Sequence, residues 1–262
     1  MLRPLVKTFG GKNYLKHFIV ENFPPNYEEL HYIEPCIGGG SVFLNKKRSF
    51  RETISDIDED LISVWKIVQK GVNEFVEQLS QLSYSEEVFK LALDGQFSQE
   101  VNYYVKQRMS RGGMGKTFAW SERLRGGIPG DVNGWKNSIK QLPQIAKRLK
   151  NVQISHCDII KLLESDLEYE SDIGVFYYID IPYMHETRVS KDVYDHEMSF
   201  EQHCRLLELI KQSKDKVLIS GYHSELYNKE LKSWNSDEYG IVNHSGQGKK
   251  KQKRVEVVWK NY

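Results

Sequence analysis

Residues 31–45, HYIEPCIGGGSVFLN, decide the fold of this chain. The opening HYIE predicts a short strand, the three glycines predict a loop, and residues 41–45 predict a helix. A second short strand is predicted at 53–56, and apolar positions at helical spacing predict a helix over 61–69. This strand–helix–strand–helix order predicts an α/β protein with a doubly wound, mostly parallel sheet.

The glycine loop suits a nucleoside cofactor. Glycine lets the backbone approach a ligand closely, and the start of a helix presents unpaired N–H groups. Asp56, at the predicted end of the second strand, suits the two ribose hydroxyls. The alternatives are an ordinary glycine turn and, for Asp56, a helix N-cap beside Asp58 and Glu59. Asp158, after a strand predicted at 152–155, is either an acceptor for a cofactor amino group or a simple cap.

A second motif, DIPY at residues 180–183, ends the apolar run 173–179. The Asp180 carboxylate and the Ile181 carbonyl could accept the two N–H groups of a planar amino group, and Tyr183 could stack on the ring that bears it. Pro182 stiffens the chain and removes a donor. We therefore interpret these four residues as catalytic. The plainer alternative is a turn after a strand, with Tyr183 in a packing role.

The α/β pattern is interrupted over residues 76–144. We therefore predict a catalytic domain, residues 1–75 and 145–262, split by an inserted recognition region that is helical and loop-rich. Residues 108–135 are rich in glycine and basic side chains, which predicts a loop-rich, exposed stretch. The aromatic and methionine residues among them suit phosphate and base contacts. The predicted nucleic-acid contacts are Arg108, Arg111, Lys116, Arg123, Arg125, Lys249, Lys250 and Lys251. A solvated surface segment and a solvated tail are the alternatives.

Composition limits the remaining possibilities. The formal net charge of the 262 residues is only +1, so charge distribution says more than total charge. The three cysteines lie far apart, which disfavours a structural zinc site or a disulfide framework and favours a reducing cytoplasm. No apolar run approaches the roughly 20 residues that a membrane span needs. We expect no metal and no membrane partner.

Taken together, these motifs resemble the Dam-type family of adenine-N6 DNA methyltransferases, in its alpha order of cofactor motif, recognition insertion and catalytic motif. EPCIGGGSVFLN at 34–45 is close to the family's EPFxGxGSVFLN, KTFGGK at 7–12 to its KWAGGK, and DIPY to its DPPY. The resemblance implies a Rossmann-like methyltransferase fold and S-adenosylmethionine (AdoMet) as the cofactor. It implies methylation of N6 on a flipped-out adenine in double-stranded DNA. The residues it implies for the cofactor are Thr8, Lys12, Glu34, Pro35, Gly38, Gly40, Asp56 and Asp158.

Three departures from the family pattern bear on activity. Cys36 replaces the aromatic residue of the glycine loop, Thr8 replaces a tryptophan, and Ile181 replaces the first proline of DPPY. The insertion also lacks the hairpin pattern that we associate with readers of GATC. Alternative functions are therefore a catalytically weakened DNA-binding protein, or a methyltransferase for RNA adenine or protein glutamine. A dinucleotide oxidoreductase is disfavoured by the incomplete glycine fingerprint.

The resemblance also carries expectations about cellular context. We expect a monomer in the cytoplasm of a bacterium or of a phage-infected host. A cognate restriction endonuclease, where one exists, is expected to act independently of this chain.

Overall fold

The computed structural model describes residues 1–167, 173–187, 196–242 and 253–262. The helices in these ranges are α1 Lys16–Glu21, α2 Glu59–Lys70, α3 Val72–Ser80, α4 Glu86–Leu93, α5 Gln99–Met109, α6 Gly130–Lys140, α7 Leu142–Arg148, α8 Ile159–Leu167, α9 Phe200–Gln212 and α10 Glu225–Glu230. The strands are β1 His31–Glu34, β2 Arg51–Asp56, β3 Leu124–Arg125, β4 Ile128–Pro129, β5 Gln153–His156, β6 Val175–Ile179, β7 Lys216–Tyr222, β8 Asn235–Val242 and β9 Lys253–Lys260. None of these helices has the length and apolar character that a bilayer crossing requires.

The main sheet has seven strands in the order β5-β2-β1-β6-β7-β9-β8. The pairs β1–β2, β1–β6 and β6–β7 are parallel, whereas β7–β9 and β9–β8 are antiparallel. The predicted doubly wound, mostly parallel sheet is thus confirmed. The chain leaves β1 towards β2 and later returns to the other side of β1 as β6. The strand order reverses there, and in such sheets ligands bind at the carboxyl ends of the strands beside that reversal.

The chain divides into two compact units. The first comprises residues 1–16, 37–46 and 58–156, and the second comprises residues 17–36, 47–57 and 157–262. The predicted insertion, residues 76–144, falls inside the first unit together with α2.

The first unit is built on α2 and the helices that follow it. Asp58 caps α2 by accepting a hydrogen bond from the Leu61 backbone at 3.0 Å, and the helix buries Trp65 completely. A series of aromatic contacts continues from Phe75 to Tyr104 and from Tyr104 to Trp135, with ring centroids 5.5 and 5.8 Å apart. These buried rings give the helices of this unit a common core.

The second unit contains the central strands. All five residues of β6 are buried, as expected for a parallel strand covered on both faces. Its core cluster includes Tyr177 and Ile179 of β6, Leu206 and Ile210 of α9, and Trp259 of β9. A complete capping box at Ser199 and Gln202 starts α9.

Two local predictions are corrected by the structure. Residues 41–45 form turns rather than a helix, because so short a segment does not gain enough hydrogen bonds to offset the cost of starting a helix. The stretch from Gly130 is helical instead of loop, because Trp135 and Ile139 of α6 are buried and the Trp135 indole donates to the Leu82 carbonyl at 3.2 Å. Strands β3 and β4 also form a short hairpin that the sequence pattern did not indicate.

Candidate active site

The DIPY segment, residues 180–183, begins directly after β6 in the second unit and is called the acidic tip below. Asp180 accepts a hydrogen bond from the Ser220 hydroxyl on β7, with Oγ 3.1 Å from Oδ1. The Tyr183 hydroxyl lies 3.4 Å from the same carboxylate oxygen. Asp180 itself is partly exposed. The Asp180 carboxylate is therefore held from the neighbouring strand and from its own turn, and it remains accessible to a ligand.

Tyr183 is buried against the ends of β7 and β9. Its hydroxyl donates a hydrogen bond to the carboxylate of Glu256, and its ring meets the ring of Tyr222 edge-on at 4.7 Å. Burial first, and then the carboxylates of Asp180 and Glu256, raise the pKa of the Tyr183 hydroxyl well above its ordinary value. Tyr183 consequently stays a neutral phenol that donates hydrogen bonds.

Ile181, the departure from DPPY, has a structural role in this chain. Its side chain is 4 % exposed and belongs to the hydrophobic core cluster that also contains Ile179 and Met184. A proline would restrict the backbone at this position, whereas the isoleucine anchors it by burying apolar surface. Pro182, the next residue, is partly exposed.

Acidic side chains of the second unit gather around one thiol. Burial raises the pKa of Cys36 well above its ordinary value, and the carboxylates of four residues raise it further, in the order Asp56, Asp180, Asp158 and Glu34. These carboxylates thus lie within electrostatic range of a single sulfur atom. Glu34 and Asp56 end β1 and β2, whereas Asp158 and Asp180 follow β5 and β6. The negative charge of this cluster favours a cationic ligand.

The individual acids differ in their local partners. Glu34 is 3 % exposed and accepts a hydrogen bond from the Tyr32 hydroxyl at 2.5 Å; Pro35 beside it is buried. Asp56 is partly exposed, and the N-cap of α2 is Asp58, so the capping alternative for Asp56 is wrong. Asp158 does act as a cap, because its Oδ1 accepts from the backbone of Ile160 at 2.8 Å and of Lys161 at 3.3 Å.

The glycine loop lies in the first unit, and its shape depends on close packing. Gly40 has a φ of +69°, and a Cβ there would lie 2.6 Å from the Trp65 ring. A Cβ on Gly39 would lie 2.7 Å from the Val6 carbonyl oxygen. Gly38 has a φ of +47° and more space, and its carbonyl accepts from the Trp65 indole at 3.1 Å. Trp65 therefore fixes the loop through its contact with Gly40 and its hydrogen bond to Gly38. Of the three glycines, Gly38 is the one with free space beside its Cα.

The N-terminal residues of the resemblance lie near this loop. The Thr8 side chain would be the nearest neighbour of a Cβ placed on Gly38, at 3.8 Å. Lys12 is 5 % exposed, and its ammonium donates to the Gly10 carbonyl at 3.0 Å. Thr8, Lys12, Gly38 and Gly40 all belong to the first unit, and their contacts with a cofactor stay a prediction.

The structure separates the predicted nucleic-acid contacts. Arg111, Lys116 and Arg123 are exposed, as is Trp120. Arg108 is not: it is 8 % exposed, and its guanidinium donates to the carbonyls of Leu5 and Pro4. Because these hydrogen bonds are internal, the prediction that Arg108 contacts phosphate is corrected to a structural role.

The remaining predicted contacts are less fully described. Arg125 is placed in β3, but only its backbone is described, and Lys249, Lys250 and Lys251 lie outside the described residues.

Sequence patterns did not indicate three residues that surround the tip, namely Ser220, Tyr222 and Glu256. One signal was available. Glu256 is an acidic residue within the apolar strand segment VEVVW, and an acid buried in a sheet needs a polar partner. The identity of that partner depends on how β7 and β9 align, which the sequence alone does not show.

Comparison with known proteins adds to this geometry. Residues 9–110 match the model of the D12 class N6 adenine-specific DNA methyltransferases. The type II methyltransferase M.MjaIII of Methanocaldococcus jannaschii is 27% identical over 89% of this chain and 89% of its own length. The type II methyltransferase M1.LlaDCHI of Lactococcus lactis subsp. cremoris is 27% identical over 100% of this chain and 96% of its own.

Two further similarities are more limited. The DNA adenine methylase of Escherichia coli strain K12 is 40% identical over 30% of this chain and 27% of its own. Among solved structures, the rRNA methyltransferase aviRa of Streptomyces viridochromogenes aligns over 99% of this chain and 88% of its own, with 12% identity and a TM-score of 0.48. By the family-model match over residues 9–110 and by the two near-full-length relatives, this chain is similar to the D12 class of N6 adenine-specific DNA methyltransferases.

Proposed function

We propose that this chain transfers a methyl group from AdoMet to N6 of a flipped-out adenine in double-stranded DNA. The observation that carries the proposal is the Asp180 carboxylate, held by Ser220 at the carboxyl end of β6, beside the point where the strand order reverses. A base inside a duplex cannot reach a carboxylate at the end of a sheet, so the adenine has to leave the stack.

The residues of the tip have separate roles toward the target adenine and its amino group. An adenine amino nitrogen is a weak nucleophile because its lone pair is delocalised into the ring. Asp180 accepts one N–H and the Ile181 carbonyl accepts the other, which weakens that delocalisation and turns the nitrogen towards the methyl donor. Tyr183 presents an uncharged ring to the base, and Pro182 fixes the chain between these groups.

The acidic cluster of the second unit fits the proposed cofactor. When bound, AdoMet supplies an electrophilic methyl group on a positively charged sulfonium. The carboxylates around Cys36 match that positive charge and that of the AdoMet ammonium. We propose that Asp56, which does not cap α2, receives the ribose hydroxyls, and that Glu34 faces the ammonium. Asp158, while capping α8, contributes charge.

The exposed part of the recognition region supports a DNA partner. Arg111, Lys116 and Arg123 expose positive charge within this region, and Leu124 in the hairpin formed by β3 and β4 is 61 % exposed. We propose that these cations contact phosphates. Replacing one of them by alanine should lower DNA affinity uniformly across sequences and reduce the salt slope by about one. An unchanged slope in all three variants contradicts this assignment.

The activity is tested by incubating unmethylated plasmid DNA with the protein and AdoMet, and then mapping modified bases by long-read sequencing. We expect N6-methyladenine in one defined sequence context. Asp180→Ala is the control, and it should lower methylation about a thousandfold. Equal methylation by the Asp180→Ala variant, or none by the wild type, overturns the proposal.

The cellular role follows from the substrate. We propose that the chain acts in the cytoplasm, where DNA and AdoMet are both present. The type II names of two relatives support a place in restriction–modification, which the mapped sequence context would test against the specificity of any endonuclease encoded nearby. The monomeric state remains a prediction.

A further inference from the structure

Glu256 occupies an unusual position in β9. It is 1 % exposed and lies next to Val257, which is fully buried. In the antiparallel register of β7 and β9 it stands opposite Tyr222. Burying a carboxylate costs free energy unless hydrogen bonds replace those it made to water. A carboxylate as buried as that of Glu256 therefore needs a hydrogen-bond donor within the protein.

One such partner is the Tyr183 hydroxyl, which donates to Glu256. A phenol has one hydrogen to donate. The Asp180 carboxylate lies 3.4 Å from the same hydroxyl, at the outer limit of a hydrogen bond, so Glu256 is the preferred acceptor. Glu256 therefore draws the phenol hydrogen away from Asp180, whose oxygen Oδ1 receives the Ser220 hydroxyl at 3.1 Å instead.

The same contact fixes the ring of Tyr183. Tyr222, opposite Glu256 in the register, packs edge-on against that ring at 4.7 Å. The hydroxyl is held by β9 and the ring edge by β7, so the rotation of the side chain is restricted at both ends. The hydrogen bonding of Asp180 and the orientation of the Tyr183 ring thus both depend on the carboxylate of Glu256, which does not itself reach the substrate.

We propose that Glu256 is a positioning residue of the methyl-transfer site and acts through Tyr183. It orients the tyrosine ring for the target base and takes the phenol hydrogen that Asp180 would otherwise receive. This inference rests on the proposed function for its catalytic consequence, but the Glu256–Tyr183 bond can be tested without turnover.

The kinetic test is a double-mutant cycle of Glu256→Gln and Tyr183→Phe, measured as single-turnover methyl transfer to plasmid DNA. Each single variant should slow transfer roughly tenfold, as expected for a hydrogen bond to a charged group. The double variant should be no slower than Tyr183→Phe alone, because Glu256→Gln removes the charge from the acceptor of a bond that Tyr183→Phe abolishes altogether. AdoMet affinity should stay within about twofold of the wild type, which a general loss of structure would not allow.

The matched control is Glu238→Gln, the same chemical change on the adjacent strand β8 at an exposed position opposite Val257. It should leave the transfer rate unchanged. Multiplicative effects of the two tip variants, or a rate for Glu256→Gln equal to that of the control, overturn the inference.

The spectroscopic test uses protein labelled with 3-fluorotyrosine and needs no methylation. Tyr183→Phe identifies the Tyr183 fluorine resonance by its disappearance, and Glu256→Gln should shift that resonance whereas Glu238→Gln should not. If the wild type fails to methylate DNA but the resonance shifts, the proposed function fails and the Glu256–Tyr183 bond stands. If the wild type methylates DNA but the resonance does not move, the positioning inference is wrong.

Discussion

The glycine loop and the acidic tip follow neighbouring strands, β1 and β6, but they are held in place by different forces. The loop is held by shape: Gly40 is a glycine because the Trp65 ring leaves no room for a Cβ. The tip is held by polar bonds and by burial, with Ser220 bonded to Asp180 and Ile181 inserted into the core. A loop of the first kind is broken by adding atoms, whereas a tip of the second kind is broken by removing them.

Adding one methyl group to the loop should have the largest effect. Gly40→Ala places a Cβ 2.6 Å from Trp65 at a φ of +69°. The overlap and the left-handed backbone should together lower the free energy of unfolding by about 3 kcal/mol, measured by urea denaturation.

Gly95→Ala is its matched control, since Gly95 has a φ of +73° and a Cβ added there would meet nothing within 4 Å. It should cost only about 1 kcal/mol, from backbone conformation alone. Equal costs at the two glycines would show that Trp65 does not determine the loop.

The second largest effect is expected on removing the Ser220 hydroxyl, which bonds the tip from β7. Ser220→Ala takes away the donor at 3.1 Å from Asp180, so the carboxylate loses its hold from β7. We expect methyl transfer to slow about tenfold, equivalent to one hydrogen bond to a charged group, with little change in AdoMet affinity. Ser236→Ala, at an exposed serine on β8, should match the wild-type rate. A normal rate for Ser220→Ala would mean that Asp180 is oriented without β7.

Shortening the buried anchor of the tip should have a smaller effect. Ile181→Val removes one methylene from a side chain that is 4 % exposed, and should lower the free energy of unfolding by about 1 kcal/mol. Ile57→Val, at a side chain that is 41 % exposed, should change it by much less. The two are compared by urea denaturation. Equal losses of free energy of unfolding in the two variants would show that burial of Ile181 does not anchor the tip.

The last prediction concerns a pH dependence at the start of β1. Burial, and then the positive charge of Arg51, lower the pKa of His31 from 6.5 to about 4. The folded state thus favours neutral His31, and its hydrogen bond to Thr53 is 2.8 Å long. Above pH 6.5 this contribution to stability is complete. As the pH falls from 6.5 towards 4, the unfolded state takes up the proton first, and the contribution is lost.

Urea denaturation at several pH values checks this. His31→Gln should show a shallower loss of stability than the wild type between pH 6.5 and 4. Parallel curves for the two proteins would show that His31 does not titrate differently in the folded chain.

The same contrast explains what the sequence could predict. Strand β1 begins and ends at the predicted residues, because an apolar pattern is a local property. Asp180 was identifiable because it ends an apolar run. Strand β8 was missed because its polar sequence, NSDEYGIV, shows no apolar alternation. Helix α6 was missed because its two glycines argue against a helix, and only the burial of Trp135 and Ile139 reverses that local preference.

The tip partners could not be predicted for a different reason. Ser220 and Glu256 are ordinary strand residues until β7 and β9 pair in one particular register. The contribution of Trp65 to the glycine loop is likewise a matter of packing in three dimensions. Arg108 looked like a phosphate contact because its neighbours in sequence are basic, but its face of α5 turns inward. Motifs show which chemistry is present, and pairing and packing determine which residues support it.

The buried Arg108 also constrains the order of events during protein synthesis. Its guanidinium bonds the Leu5 carbonyl, 103 residues earlier, and the Leu5 N–H bonds the Gly39 carbonyl at 2.9 Å. At ribosomal rates, roughly 5 to 20 s separate the synthesis of Leu5 from that of Arg108. Throughout that interval the N-terminal segment lacks its anchor on α5. The glycine loop of a nascent chain therefore reaches its final support only after α5 has left the ribosome.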